Sequence, residues 1–141
     1  MPALGYQRPP KRRALGLKSS SRAMPCVHDD AVRRLAAACH TGDVVAIGAV
    51  LDPDAVAVCD GGGRVPAPIR PVHGAGQVAL LLHALLPGSD LAVEGVNGRA
   101  ALVLRRAGTA VAVIAVGCHE GLATTLWVVL NPAKLRGWHR C

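Results

Sequence analysis

The residue types that could do chemistry gather around one glycine-rich stretch. Asp60 precedes Gly61-Gly62-Gly63, and Arg70-Pro71-Val72-His73-Gly74 follows shortly after. A carboxylate and an imidazole flanking a flexible rim are the pair that general acid–base catalysis needs to move a proton, for example on a carbonyl substrate. Each residue also has a plainer role. Aspartate before glycine is an ordinary turn residue whose carboxylate accepts from nearby backbone amides. A histidine at a helix start can bond the exposed amides there. The glycine run is not a phosphate loop, since no Lys-Ser/Thr follows it and it opens no helix.

Other chemistry finds little support. The five cysteines, Cys26, Cys39, Cys59, Cys118 and Cys141, are odd in number and show no CxxC spacing. The pairs Cys39-His40 and Cys118-His119 lack the closely spaced ligand pairs of a zinc site, so buried thiols and surface histidines are the simpler reading and no metal or cofactor is expected. With no export signal, we expect a reduced, cytoplasmic protein.

The net charge of +7 resides almost wholly at one end. Residues 1–23 carry Arg8, Lys11, Arg12, Arg13, Lys18 and Arg22 and no acid, whereas the other 118 carry ten basic and nine acidic groups. We therefore expect a disordered basic arm over 1–27, one domain over 28–138 and a tail over 139–141. Met24-Pro25 reads equally well as a start. The aromatics are Tyr6, Trp127 and Trp138 alone, too few to offer a stacking platform for bases, so specific nucleic-acid binding by the domain is not expected. No apolar run reaches membrane-spanning length.

These residues must be positioned by a modest set of elements. Asp29 or Asp30 can cap a helix carrying Val32, Leu35, Ala36 and Cys39, with Gly42 at its end. Asp43 can cap a second helix, with Val44, Val45, Ile47, Val50 and Leu51, that Pro53 stops. Ala55 to Cys59 reads as a strand delivering Asp60 to the glycine turn. The prolines between Arg64 and Val72 permit only an edge strand or extended loop. Gly74 to Leu86 is a helix in which His83 reads as a buried or boundary residue. Strands then follow over 91–96, 100–105, 109–118 and 122–130, joined at Asn97-Gly98, Ala107-Gly108 and Glu120-Gly121. Helices early and hairpins late make an α+β fold with a mostly antiparallel sheet. Arg105-Arg106 reads as a solvated edge.

The last two strands lack apolar–polar alternation. Ala110, Ala112, Ile114 and Val116 share one parity, while Val111, Val113 and Ala115 share the other, so both faces call for cover. Three helices can cover one. The other is expected to meet a protein partner, in the first place a second copy of the chain.

Helix, helix, strand, helix and a run of antiparallel strands resembles the nuclear transport factor 2-like, or SnoaL-like, cone. Asp60-Gly61-Gly62-Gly63-Arg64, Arg70-Pro71-Val72-His73-Gly74, Val96-Asn97-Gly98-Arg99 and Val129-Leu130-Asn131-Pro132-Ala133-Lys134-Leu135 look like one subgroup. It is the SnoaL-like C-terminal extension of actinobacterial extracytoplasmic-function RNA polymerase sigma factors. The likeness covers about residues 28–138. It implies a module that regulates promoter-binding domains, with a sigma factor or RNA polymerase-associated partner. Gly61, Gly62, Gly63, Asn131, Pro132, Lys134 and Leu135 would belong to its interaction motifs.

The resemblance also implies a cone pocket, which Asp60, Arg70, His73, Asn97 and Trp127 are able to line. Two departures matter. The family ending Asn-Pro-Asp-Lys-Leu here loses its carboxylate at Ala133, and the 27 residues before the cone are too few for a promoter-binding domain. We thus expect a stand-alone relative or detached fragment without sigma activity, a regulatory or ligand-binding module. The alternative is a cyclase-, isomerase- or dehydratase-type enzyme using Asp60 and His73, although the isomerases' oxyanion-binding tyrosine has no candidate, since Tyr6 lies in the arm.

Overall fold

Apolar residues at helical spacing draw three helices onto one face of a curved six-stranded sheet. The computed structural model describes residues 27–63, 67–96 and 98–139. The arm up to residue 26, Tyr6, Cys26, Arg64, Asn97 and Cys141 lie outside the described residues.

Helix α1 spans Val27–Thr41, with Asp29 and Asp30 in its first turn, where the helix dipole favours acids. It buries Val32, Leu35, Ala36 and Cys39 against the sheet and ends at Gly42 with φ +71°. Asp43 caps helix α2, Val44–Ala49, by accepting from the Val45 amide. The helix expected to run up to Pro53 stops at Ala49 instead. Strand β1, Leu51–Asp60, begins before the proline, and its register against the last strand slips between Leu51 and Val56. Pro53 falls within that slip, where a missing amide hydrogen costs no ladder bond.

Strand β2, Val72–His73, is an antiparallel edge. Helix α3, Ala75–Leu85, buries Val78, Ala79 and Leu82. His83, expected to be buried or at the boundary, is exposed. It follows Leu82 by one position, about 100° around the helix, which turns it off the packed stripe. Strands β3 (Asp90–Val96), β4 (Arg99–Arg106), β5 (Thr109–His119) and β6 (Leu122–Val129) form a meander, and the sheet order is β2-β1-β6-β5-β4-β3. Among the described residues only the β1–β6 pairing is parallel. Ala107 and Gly108, like Glu120 and Gly121, hold positive φ in pairs, the geometry of tight hairpin turns that follow the sheet's twist.

The inner face meets the helices in a core that includes Leu35, Ile47, Leu82, Leu102, Leu104, Ile114 and Leu126. Each such side chain contributes about 1.5–3 kcal/mol on leaving water. The outer face differs from a simple parity reading, because two bulges reset it. Leu104 pairs with Ala112 but Arg105 pairs with Ala110, so Val111 is the extra residue. Ala110 therefore joins Val113 and Val103 outside, while Val111 packs inward. A second bulge makes Thr124 the extra residue between the Gly117–Thr125 and Cys118–Ala123 pairs.

The chain's last elements cover part of the outer face. Helix α4, Pro132–Leu135, and a following 3-10 turn, Arg136–Trp138, set the buried Leu135 and the half-buried Trp138 on Val103, Ala110 and Val113. Arg105, expected at a solvated edge, is buried beneath this segment. Its guanidinium makes a two-point pair with Glu94 and donates through Nε to the Trp138 carbonyl at 2.7 Å. The outward parity at the bulge turns it under the segment, where Glu94 on β3 meets it. Among the described residues no helix is long and apolar enough to cross a membrane.

Candidate functional site

β1 ends at Asp60, and the chain must reverse to reach β2, which pairs antiparallel on the other side of β1 from the last strand. Gly62 and Gly63 take φ +62° and +74°, values that a side chain disfavours. Asp60 organises the turn. Its Oδ1 accepts from the Gly62 amide at 3.0 Å, its carbonyl accepts from the Leu130 amide at 2.7 Å, and its Oδ2 accepts from Lys134 Nζ at 2.6 Å.

The second motif closes on the first. Asn131 caps α4 by accepting from the Ala133 amide at 3.1 Å, with Pro132 at the first helical position. Its carboxamide lies so close to Gly62 that a Cβ there would overlap it. Gly62 thus serves both its backbone conformation and this contact. The glycine turn and the Asn131–Leu135 segment form one clasp, fastened by Lys134 and Asp60 and anchored by Leu135.

The clasp sets the chemistry of Asp60. The Lys134 ammonium, with help from the Gly62 amide, holds the carboxyl below its ordinary value of 3.8, against partial burial that pushes it upward. The stabilisation from this pairing is present above that ordinary value and is lost as pH falls through the lower folded value. Asp60 is poorly suited to carry a proton near neutrality, and both its oxygens have partners.

The other candidates are dispersed. His73 pairs with Val56 across the β1–β2 edge, four residues of β1 away from Asp60, or roughly 13 Å of strand, and it is exposed. Arg70 is exposed between the turn and β2. Trp127 stands on β6 opposite Val58 and Ala115, on the outer face, 48% exposed, with its ring over Gly117. Val58 beside it is 39% exposed. Asp60, Val58 and Trp127 therefore share the outer face of neighbouring strands, whereas Arg70 and His73 lie at its margin. An open cleft of about 440 Å³ borders Cys59, Asp60 and the three glycines, with Ala67, Pro68 and Ile69 opposite. The Lys134 partnership, 74 positions away in sequence, is the feature that motif reading missed; a basic residue within a turn-capping segment was its one signal.

Cysteine chemistry is muted. Burial pushes the Cys39 thiol to about 11 and raises that of Cys59, so the reactive thiolate is disfavoured at both. No cluster of three metal-ligating side chains occurs among the described residues.

No family model matches the chain. It is 28% identical over 130 residues to the extracytoplasmic-function RNA polymerase sigma factor SigJ of Mycobacterium tuberculosis, a match covering 78% of this chain and 39% of SigJ. The SigJ crystal structure superposes with a TM-score of 0.61 at 26% identity, over 86% of this chain and 49% of that one. The chain has a nuclear transport factor 2-like fold and is similar in sequence to SigJ. It spans less than half the length of that sigma factor. Two more distant structures share the fold. A nuclear transport factor 2-like protein of Burkholderia xenovorans aligns at 14% identity and TM-score 0.53, over 74% of this chain and 83% of its own. TerC, crystallised with polyporic acid, aligns at 17% identity and TM-score 0.56, over 80% of this chain and 98% of its own.

Proposed function

We propose that this SnoaL-like domain is a non-catalytic regulatory or ligand-binding module of the cytoplasm, which uses the uncovered part of its outer sheet face to bind a second copy of itself. Its kinship with SigJ makes a sigma factor or RNA polymerase-associated protein the partner class to expect beyond the homodimer. The observation that carries the reading is the engagement of Asp60: both carboxylate oxygens are held, and the imidazole that would share its work lies four residues along the strand.

The exposed apolar pair Val58 and Trp127 supports the binding surface, since large apolar groups side by side on a sheet face lose water on association. The catalytic reading is tested by assaying the wild type, Asp60→Ala and His73→Ala against a panel of small carbonyl compounds. We expect no turnover above buffer from any of the three. Turnover by the wild type that both substitutions abolish, with the melting transition retained, would sink the proposal in favour of an acid–base enzyme.

A further inference from the structure

A second cavity lies away from the glycine turn, between the β4–β5 hairpin and the C-terminal segment. Its volume is about 330 Å³, at the small end of the roughly 300–1,000 Å³ typical of ligand pockets. None of the sequence-derived pocket residues lines it. Ala110, Val111, Leu130, Pro132 and Leu135 give it an apolar lining, and the bulge on β5 sets the consecutive residues Ala110 and Val111 on its wall.

The lining includes Arg106 and His139, each able to donate, and the Thr109 hydroxyl, which can donate or accept. Arg106 donates through Nε to Ser89 Oγ at 3.1 Å and through Nη2 to the Pro87 carbonyl at 3.2 Å, two neutral acceptors. It has no carboxylate partner among the described residues, and no acidic side chain lines the cavity. His139 accepts from the Ala110 amide at Nδ1, 2.9 Å away. That bond places the proton of the neutral ring on Nε2, leaving a second donor on a residue that lines the cavity.

An apolar cavity bordered by an arginine with no counter-ion among the described residues and by an imidazole N–H fits an amphiphile with one anionic end. We propose that this cavity binds a small monocarboxylate with an apolar body, its carboxylate on Arg106 and His139 and its chain against Leu130 and Leu135. The inference deepens the binding-module reading and rests on it. Because the C-terminal segment also carries Lys134, an occupant would hold the clasp closed.

The test is calorimetric titration of the full chain with octanoate and with octan-1-ol, which keeps the chain and removes the charge. A charge-assisted contact is worth enough that octanoate should bind roughly tenfold or more tightly than the alcohol, and Arg106→Gln should lose a similar factor. Thr109→Trp, at an exposed position on the cavity wall, should block octanoate while leaving the melting transition in place. The Ala110 amide resonance should move on binding in the wild type. Equal affinity for the alcohol, octanoate binding that survives both substitutions, or no heat at millimolar octanoate would each overturn the proposal. The readout is carboxylate binding and not turnover at Asp60 and His73, so its failure is distinguishable from failure of the module reading.

Discussion

Leu135→Ala is expected to destabilise the protein by about 2–4 kcal/mol, within the range for deleting a fully buried leucine. Leu135 is 2% exposed and joins the segment to Val103, Ala110 and Val113. Its removal costs the transfer free energy of the lost atoms and leaves a void that the short α4 can only partly close. The change should lower the melting midpoint by about 10 °C for a domain of this size. Trp138, half-buried against the same cluster, should shift its fluorescence to longer wavelength as the segment loosens. Urea titration followed by both signals checks this. A loss below about 1 kcal/mol, the scale of an ordinary surface change, with an unmoved Trp138 emission would mean that the segment does not cover the outer face.

Arg105→Met should cost about 3 kcal/mol, because breaking one half of a largely buried ion pair strands the other charge in a medium that solvates it poorly. The Arg105 and Glu94 side chains are only 10% and 18% exposed, and the pair raises the guanidinium's affinity for its proton. The substitution also removes the bond to the Trp138 carbonyl. Glu94→Gln, which keeps an acceptor in place, should cost less than Arg105→Met. Chemical denaturation of the two variants side by side gives the comparison. Equal and small losses for both would show that the pair is screened like a surface contact.

Much of the architecture was legible because local signals agreed with the fold. Asp43 as a cap, Gly42 as a helix end and the turns at Ala107-Gly108 and Glu120-Gly121 act within a few residues, so their chemistry can be read directly. What was hidden depends on contacts distant in sequence. The bulge at Val111 inverts the parity of Ala110, and no alternation pattern shows a residue without a partner. Arg105 looked like half of a solvated dibasic edge because Glu94 and the Trp138 carbonyl reach it from other elements. At the candidate site, Asp60 was legible as a turn residue through the glycines that follow it. Its second role was not: Lys134 becomes a neighbour only after β1 and β6 pair in parallel and α4 folds back.

The outer face is now divided. Leu135 and Trp138 cover the part near Val103 and Val113, and the region around Val58 and Trp127 remains exposed. A dimer formed there would seat an aromatic anchor from each copy, the residue type that dominates binding energy at interfaces. Sedimentation velocity of the full chain at micromolar concentration, beside Trp127→Lys, asks most directly whether this surface binds. The wild type should sediment at twice the chain mass, and Trp127→Lys, unable to desolvate its ammonium at the centre of the contact, should sediment as a single chain with an unchanged melting transition. A wild type that sediments as a single chain, or a dimer indifferent to Trp127→Lys, would contradict the proposed role of the outer sheet face.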